Sequence, residues 1–140
     1  MTHTALPAPL LEAYQAAHYE LAHCDWFLQL GQPQPELARL YQRHAVHCAT
    51  YLTACNPLGE PLPDADNALR MTRLREALQR AGWSWLDGQG SDPHGQWPAE
   101  DSVLIWGMGE STARAWGQHW QQNAVVYCGP DCRPQLLLLR

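Results

Sequence analysis

The sequence contains no lysine, so all nine of its cations are arginines. They stand singly against fourteen acidic residues, for a net charge of −5. Nucleic-acid binding needs a basic face that neutralises phosphates and releases counterions, so no nucleic-acid partner is expected. Charged residues of both signs make up only 16% of the chain, below the roughly one quarter of an average globular protein. No apolar run approaches the ~20 residues that cross a bilayer as a helix, so no membrane association is expected. Met1–Leu11 carries no basic residue ahead of its modest apolar patch, and a signal peptide is not expected there either.

What is present fits one domain over residues 1–140. Hydrophobic residues make up 46%, and a chain of this length buries roughly two-thirds of the surface its unfolded form exposes. The five cysteines (24, 48, 55, 128, 132) are an odd number in a chain large enough to fold on its core. With no export signal they read as reduced thiols of a cytoplasmic protein.

Hydrophobic spacing places the elements. Leu10, Leu11, Tyr14 and Ala17 recur with helical period, so a short first helix is expected within Leu6–Tyr19. Glu20–Leu30 alternates, with Ala22, Cys24, Trp26 and Leu28 on its apolar side, and reads as one half-buried strand. Pro35 suits a helix start, and Leu37, Leu40, Tyr41 and His44 mark the helix over Glu36–Ala45. Val46–Thr53 returns to strand character. Strand, helix and strand within about thirty residues suggest a right-handed crossover between parallel strands.

A proline-rich loop, Asn56–Asp64, leads into a helix over about Asn67–Ala81, with Met71, Leu74 and Leu78 as its buried stripe and Asp64 or Asp66 as its cap. Trp83–Leu86 reads as a short strand. Asp87–Ala99, with three glycines and two prolines, reads as a surface loop. Asp101–Trp106 is a buried strand, Glu110–Gln121 a last helix, and Ala124–Cys128 with Gln135–Leu139 an antiparallel hairpin. The expected fold is α/β (α+β): one mixed sheet of about six strands with helices packed on it, in the order α-β-α-β-α-β-β-α-β-β.

Three short motifs carry plain readings. Cys128-Gly-Pro-Asp-Cys132 is half of the four-ligand set that zinc requires, and no matching second pair follows, so it reads as a hairpin turn and no metal is assigned. Gly107-Met108-Gly109 lacks the third small residue and the early position of a dinucleotide fingerprint, which leaves a strand-to-helix turn and no cofactor. Cys55 stands too far along its strand from His44 and His47 to be a nucleophile activated by either, and a buried inert thiol is the default.

There remains a polar set, Asn56, Asn67, Glu100, Ser102, Gln122 and Asn123, each at the end of an expected element. Trp97 stands apart in the glycine-rich loop, as that loop's anchor or as a ring offered to a ligand. Amide side chains at such places commonly tie down backbone groups, which is the plainer reading. The alternative is that they converge on a small polar ligand.

The same residues resemble a bacterial family catalogued as domain of unknown function 3293. Leu52-Thr53-Ala54-Cys55-Asn56-Pro57 is similar to its I-T-A-aromatic-N-P segment, and Asn67 to its helix-opening asparagine ahead of Leu74 and Leu78. Trp97-Pro98-Ala99-Glu100-Asp101-Ser102 resembles a loop that ends in Trp, Glu and Ser. Gln121-Gln122-Asn123-Ala124 is a looser likeness to a G-Q-x-A segment. The resemblance runs from about Tyr14 to the last strands, and it brings no activity with it.

The leading expectation is a small cytoplasmic domain that binds a small polar molecule or serves as an accessory module. Its site would be Asn56, Asn67, Trp97, Glu100, Ser102 and Gln122, with Asp87–Ala99 as a lid. It requires Asn56 and Glu100 to lie within about 10 Å of each other around a concave surface, the width of one small ligand. A rival is an enzyme with Glu100 as general acid or base, which requires a partly buried carboxyl raised in pKa and free of any arginine. A third is a protein-interaction module, regulatory or antitoxin-like, which requires an exposed apolar patch with tryptophans.

Overall fold

The computed structural model describes residues 4–140, so the first three residues of the stretch read for an export signal lie outside it. Elements follow one another in the expected order, with one added strand. Helix α1 (Ala8–Ala16) leads into β1 (His18–Leu21) and β2 (Phe27–Leu28), then α2 (Glu36–His44), β3 (Ala49–Leu52) and a 3₁₀ turn at Pro57–Gly59. Helix α3 (Asp64–Arg80), β4 (Trp85–Ser91), β5 (Glu100–Trp106), α4 (Glu110–His119), β6 (Ala124–Cys128) and β7 (Pro134–Leu138) complete the chain.

The seven strands form one sheet in the order β2-β1-β4-β5-β3-β6-β7. Every pairing in it is antiparallel, so the sheet is not mixed and there is no parallel crossover. The expected single strand over Glu20–Leu30 is instead two, broken by a turn in which His23 takes a positive φ of 64°. The helix between β2 and β3 does not serve as a parallel crossover, because β2 lies at the sheet edge beside β1 while β3 sits between β5 and β6. Strand β3 is buried at all four positions, as strands of parallel sheets usually are. Here both faces of an antiparallel sheet are covered instead.

Side chains alternate between those faces. Tyr19, Ala49, Tyr51, Leu104 and Trp106 pack with Leu37 and Tyr41 of α2, while Leu52, Val103, Ile105 and Val125 pack with Met71, Leu74 and Leu78 of α3 and Ala113 of α4. The buried stripe of α3 is therefore the one its spacing predicts. That helix starts earlier than expected, at Asp64, with Pro63 at its cap position and no side-chain capping bond. Asp64 and Asp66 sit in its first turn, where their charge meets the positive end of the helix dipole.

The largest departure is β4. Residues 87–91, expected in a loop, pair with β5 through Asp87↔Val103, Gly88↔Ser102 and Gly90↔Glu100, and with β1 through Gly88↔Leu21 and Gly90↔Tyr19. Glycine, normally a turn signal, serves here to admit close neighbours. A Cβ on Gly88 would lie 2.3 Å from the Glu20 carbonyl oxygen and 2.9 Å from the Tyr51 hydroxyl. Only residues 92–99 remain a loop, and Asp92 orders it by accepting the backbone N–H groups of His94 (2.8 Å) and Gln96 (2.7 Å).

Candidate functional site

Where β3 ends, Pro57 disfavours right-handed helical geometry at the residue before it, and Asn56 takes a left-handed conformation (φ 49°, ψ 66°). Asparagine tolerates that region better than most residues. The turn carries the Asn56 side chain to the first helical turns of α3. The Asn56 backbone N–H donates to Asn67 Oδ1 (2.9 Å), and Asn67 Nδ2 donates back to Asn56 Oδ1 (2.8 Å). That oxygen also accepts the backbone N–H of Leu62 (3.0 Å), which fixes the far end of the proline-rich loop. The remaining donor, Asn56 Nδ2, meets Glu100 Oε2 at 2.6 Å. The expected proximity of Asn56 and Glu100 is thus a direct hydrogen bond.

Glu100 opens β5 and is half-buried. Burial pushes its carboxyl above the ordinary value, and the bond from Asn56 opposes the shift. Among the described residues no arginine forms an ion pair with it. Its neighbour Asp101, on the opposite face, is instead held by Arg75 at 2.8 Å.

These groups line a cavity of about 550 Å³. Asn56, Asn67, Trp97, Glu100, Ser102 and Gln122 all border it, together with Asn123. Their own bonds differ. Ser102 Oγ donates to the Glu100 carbonyl oxygen (3.0 Å), and Gln122 Nε2 donates to the carbonyls of Cys55 (3.2 Å) and Trp120 (3.1 Å). Asn123 Oδ1 accepts from Arg140 (3.0 Å). Trp97 packs partly against the apolar cluster beneath it. The lid expected over 87–99 reduces to Trp97, Pro98 and Ala99 at the cavity wall.

Sequence reasoning missed the aromatic part of this cavity. Tyr14 of α1, Tyr19 of β1 and Tyr51 of β3 also line it, and a tyrosine at a strand position reads as core. The Tyr19 hydroxyl donates to the Tyr14 carbonyl (2.7 Å), and that of Tyr51 to the Glu20 carbonyl (2.8 Å). Burial raises the Tyr14 phenol, a hydrogen bond from Asn123 opposes this, and the charge of Glu100 adds to it. Also missed was Gly90, which lies between Tyr19 and Glu100 in the cross-strand row. A Cβ there would meet nothing within 4 Å, so the glycine leaves the floor of the cavity open.

The plain readings of the other motifs agree with the geometry. Cys55 is buried with its thiol raised by that burial, the opposite of what a nucleophile needs. Cys128 and Cys132 are buried thiols at the two ends of the hairpin turn. Among the described residues the large exposed apolar side chains are Leu58 and Leu69, and no tryptophan joins them. No helix is long and apolar enough to cross a membrane, among the described residues.

The chain belongs to the family described as protein of unknown function (DUF3293), whose model matches residues 52–125, just over half of its length. The matched span is shorter than the reach from Tyr14 that the resemblance implied. It contains Asn56, Asn67, Trp97, Glu100, Ser102 and Gln122, while Tyr14, Tyr19 and Tyr51 fall before it. No curated protein and no solved structure matches the chain.

Proposed function

We propose that the cavity beside Asn56 and Glu100 binds a small polar molecule, and that the protein acts as a ligand-binding or accessory module. The supporting observation is a half-buried carboxylate with one amide partner and no counter-ion among the described residues, inside a cavity of about 550 Å³. Desolvating a carboxylate is unfavourable unless it is paired, and perturbed groups of this kind gather at functional sites. The volume lies within the roughly 300–1,000 Å³ of small-molecule sites. The raised carboxyl of Glu100 also supports a second reading, in which it serves as general acid or base on whatever the cavity holds.

Gly90→Val tests the binding reading without touching a polar group. The added Cβ enters open space, and a β-branched residue suits a strand better than glycine does. The variant is expected to fold with a melting temperature at or above that of the wild type. In a thermal-shift screen of small metabolites, compounds that stabilise the wild type should no longer stabilise Gly90→Val. Stabilisers that act equally on both proteins would place binding elsewhere.

A further inference from the structure

The lining of the cavity also specifies the charge of its occupant. Resting on the binding reading above, we infer that the ligand is an organic cation, an ammonium or guanidinium carried on an apolar or aromatic body. Three observations carry this.

The first is which groups are left open. Tyr19, Tyr51 and Ser102 donate their hydroxyl protons to backbone carbonyls, and Thr53 donates its own to the Asp101 carbonyl (2.7 Å). Asn56 Oδ1 already accepts from Leu62 and Asn67, and Gln122 Nε2 is held by two carbonyls. What remains includes two acceptors, the second Glu100 oxygen and Gln122 Oε1, beside the Tyr14 hydroxyl and the Asn123 amide that bonds to it. A ligand that satisfies the two acceptors must bring hydrogen-bond donors.

The second is the sign of the wall. Among the described residues no Arg or His lines the cavity, and the chain has no Lys, whereas Asp64 and Glu100 do line it; Asp101 also borders it, but its carboxylate is paired with Arg75. Three guanidiniums already have partners, which for Arg140 and Arg75 include the lining residues Asn123 and Asp101. Arg70 donates to the carbonyls of Ala54 and Trp120, Arg140 to Asn123, and Arg75 to Asp87 and Asp101. The first turn of α3 borders the cavity with its positive end, but Asp64 and Asp66 of that same turn meet it. An anion would find no cation among the described lining residues, and it would face Glu100.

The third is aromatic. Tyr14, Tyr19, Tyr51 and Trp97 all line the cavity, and aromatic rings attract cations over their faces, most strongly where water is excluded.

Matched trios that differ only in charge test this: tryptamine, tryptophol and indole-3-acetate, then phenethylamine, 2-phenylethanol and phenylacetate. Binding is followed by ligand-observed NMR and calorimetry on the wild type, Glu100→Gln and Gly90→Val. The expected result is that each amine binds the wild type roughly tenfold or more tighter than its alcohol or acid. Glu100→Gln should erase that preference, since the amine then loses the charged partner that strengthens its hydrogen bond. Alcohols or acids that bind as well as the amines, and that Gly90→Val still blocks, would overturn the cation and leave the binding site standing. If no compound binds the wild type in a way that Gly90→Val blocks, both readings fail.

Discussion

Asn56→Ala is expected to destabilise the fold by about 3 kcal/mol, an effect well beyond that of an average substitution. One side chain is removed, but three polar groups lose a partner and a fourth is put at risk. The Leu62 amide and the Asn67 amide both lose the Asn56 oxygen, Glu100 loses its donor, and the Asn67 oxygen depends on a turn that alanine supports poorly. Each unsatisfied buried group costs about 1–3 kcal/mol. The left-handed backbone at φ 49° adds roughly 1 kcal/mol for a residue less tolerant of it than asparagine. For a chain of this size the melting temperature should fall by about 10 °C. Asn56→Asp separates the causes, because it keeps the shape and the turn but sets a second carboxylate against Glu100. Its destabilisation should be severe at neutral pH and should shrink as acid protonates the pair. Equal loss at all pH values would mean that the contact with Glu100 contributes little.

The second large effect is expected at Gly88, and its contrast with Gly90 makes it specific. Both glycines lie on β4, two residues apart and on the same face. Gly88→Ala forces a Cβ to 2.3 Å from the Glu20 carbonyl oxygen, a backbone atom that cannot rotate away, and to 2.9 Å from the Tyr51 hydroxyl. Relief requires β1 to move off β4, with loss of the Tyr51 bond to that same carbonyl. Overpacking costs of 1–3 kcal/mol are usual, and a backbone clash belongs at the upper end, about 3 kcal/mol. Gly90→Ala meets nothing and should be neutral or slightly stabilising. Urea midpoints give the ranking. Hydrogen exchange should show the amides of β1 and β4 losing protection in Gly88→Ala alone. Equal midpoints for the two variants would mean that β1 is not tied to β4 as closely as described.

Those two glycines also show where sequence reasoning reached its limit. Helical spacing located α2 and the buried stripe of α3, and the run Asp101–Trp106 announced β5, because each answers to one dominant period. The order of elements and the α+β class follow from that. The direction of the strands does not, since a strand buried on both faces, as β3 is, can have neighbours running parallel or antiparallel. Gly88-Gln89-Gly90 carries the composition of a loop, and only the proximity of Glu20 and Tyr51 explains why a strand needs glycine there. The polar half of the cavity wall was legible, because Asn56, Asn67, Glu100, Ser102 and Gln122 stand at element ends where apolar residues would be ordinary. The tyrosines were not, since nothing in their local pattern distinguishes a cavity wall from a core.

Whether Glu100 serves a ligand or only the loop at Asn56 is decided most directly by the stability of Glu100→Gln, measured by urea unfolding across pH. Glutamine keeps an oxygen for Asn56 Nδ2 and removes the charge. Burial raises the Glu100 carboxyl in the fold, so the native state holds the proton more tightly than the unfolded state. The wild type therefore loses stability as pH rises from the ordinary carboxylate range, about 4.3, through the raised value. Glu100→Gln has no such loss. The predicted result is a variant at least as stable as the wild type at pH 7, with the gap closing near pH 4. A variant less stable by about 2 kcal/mol or more at pH 7, the size of a lost charge-assisted hydrogen bond, would contradict it and make Glu100 a structural tie.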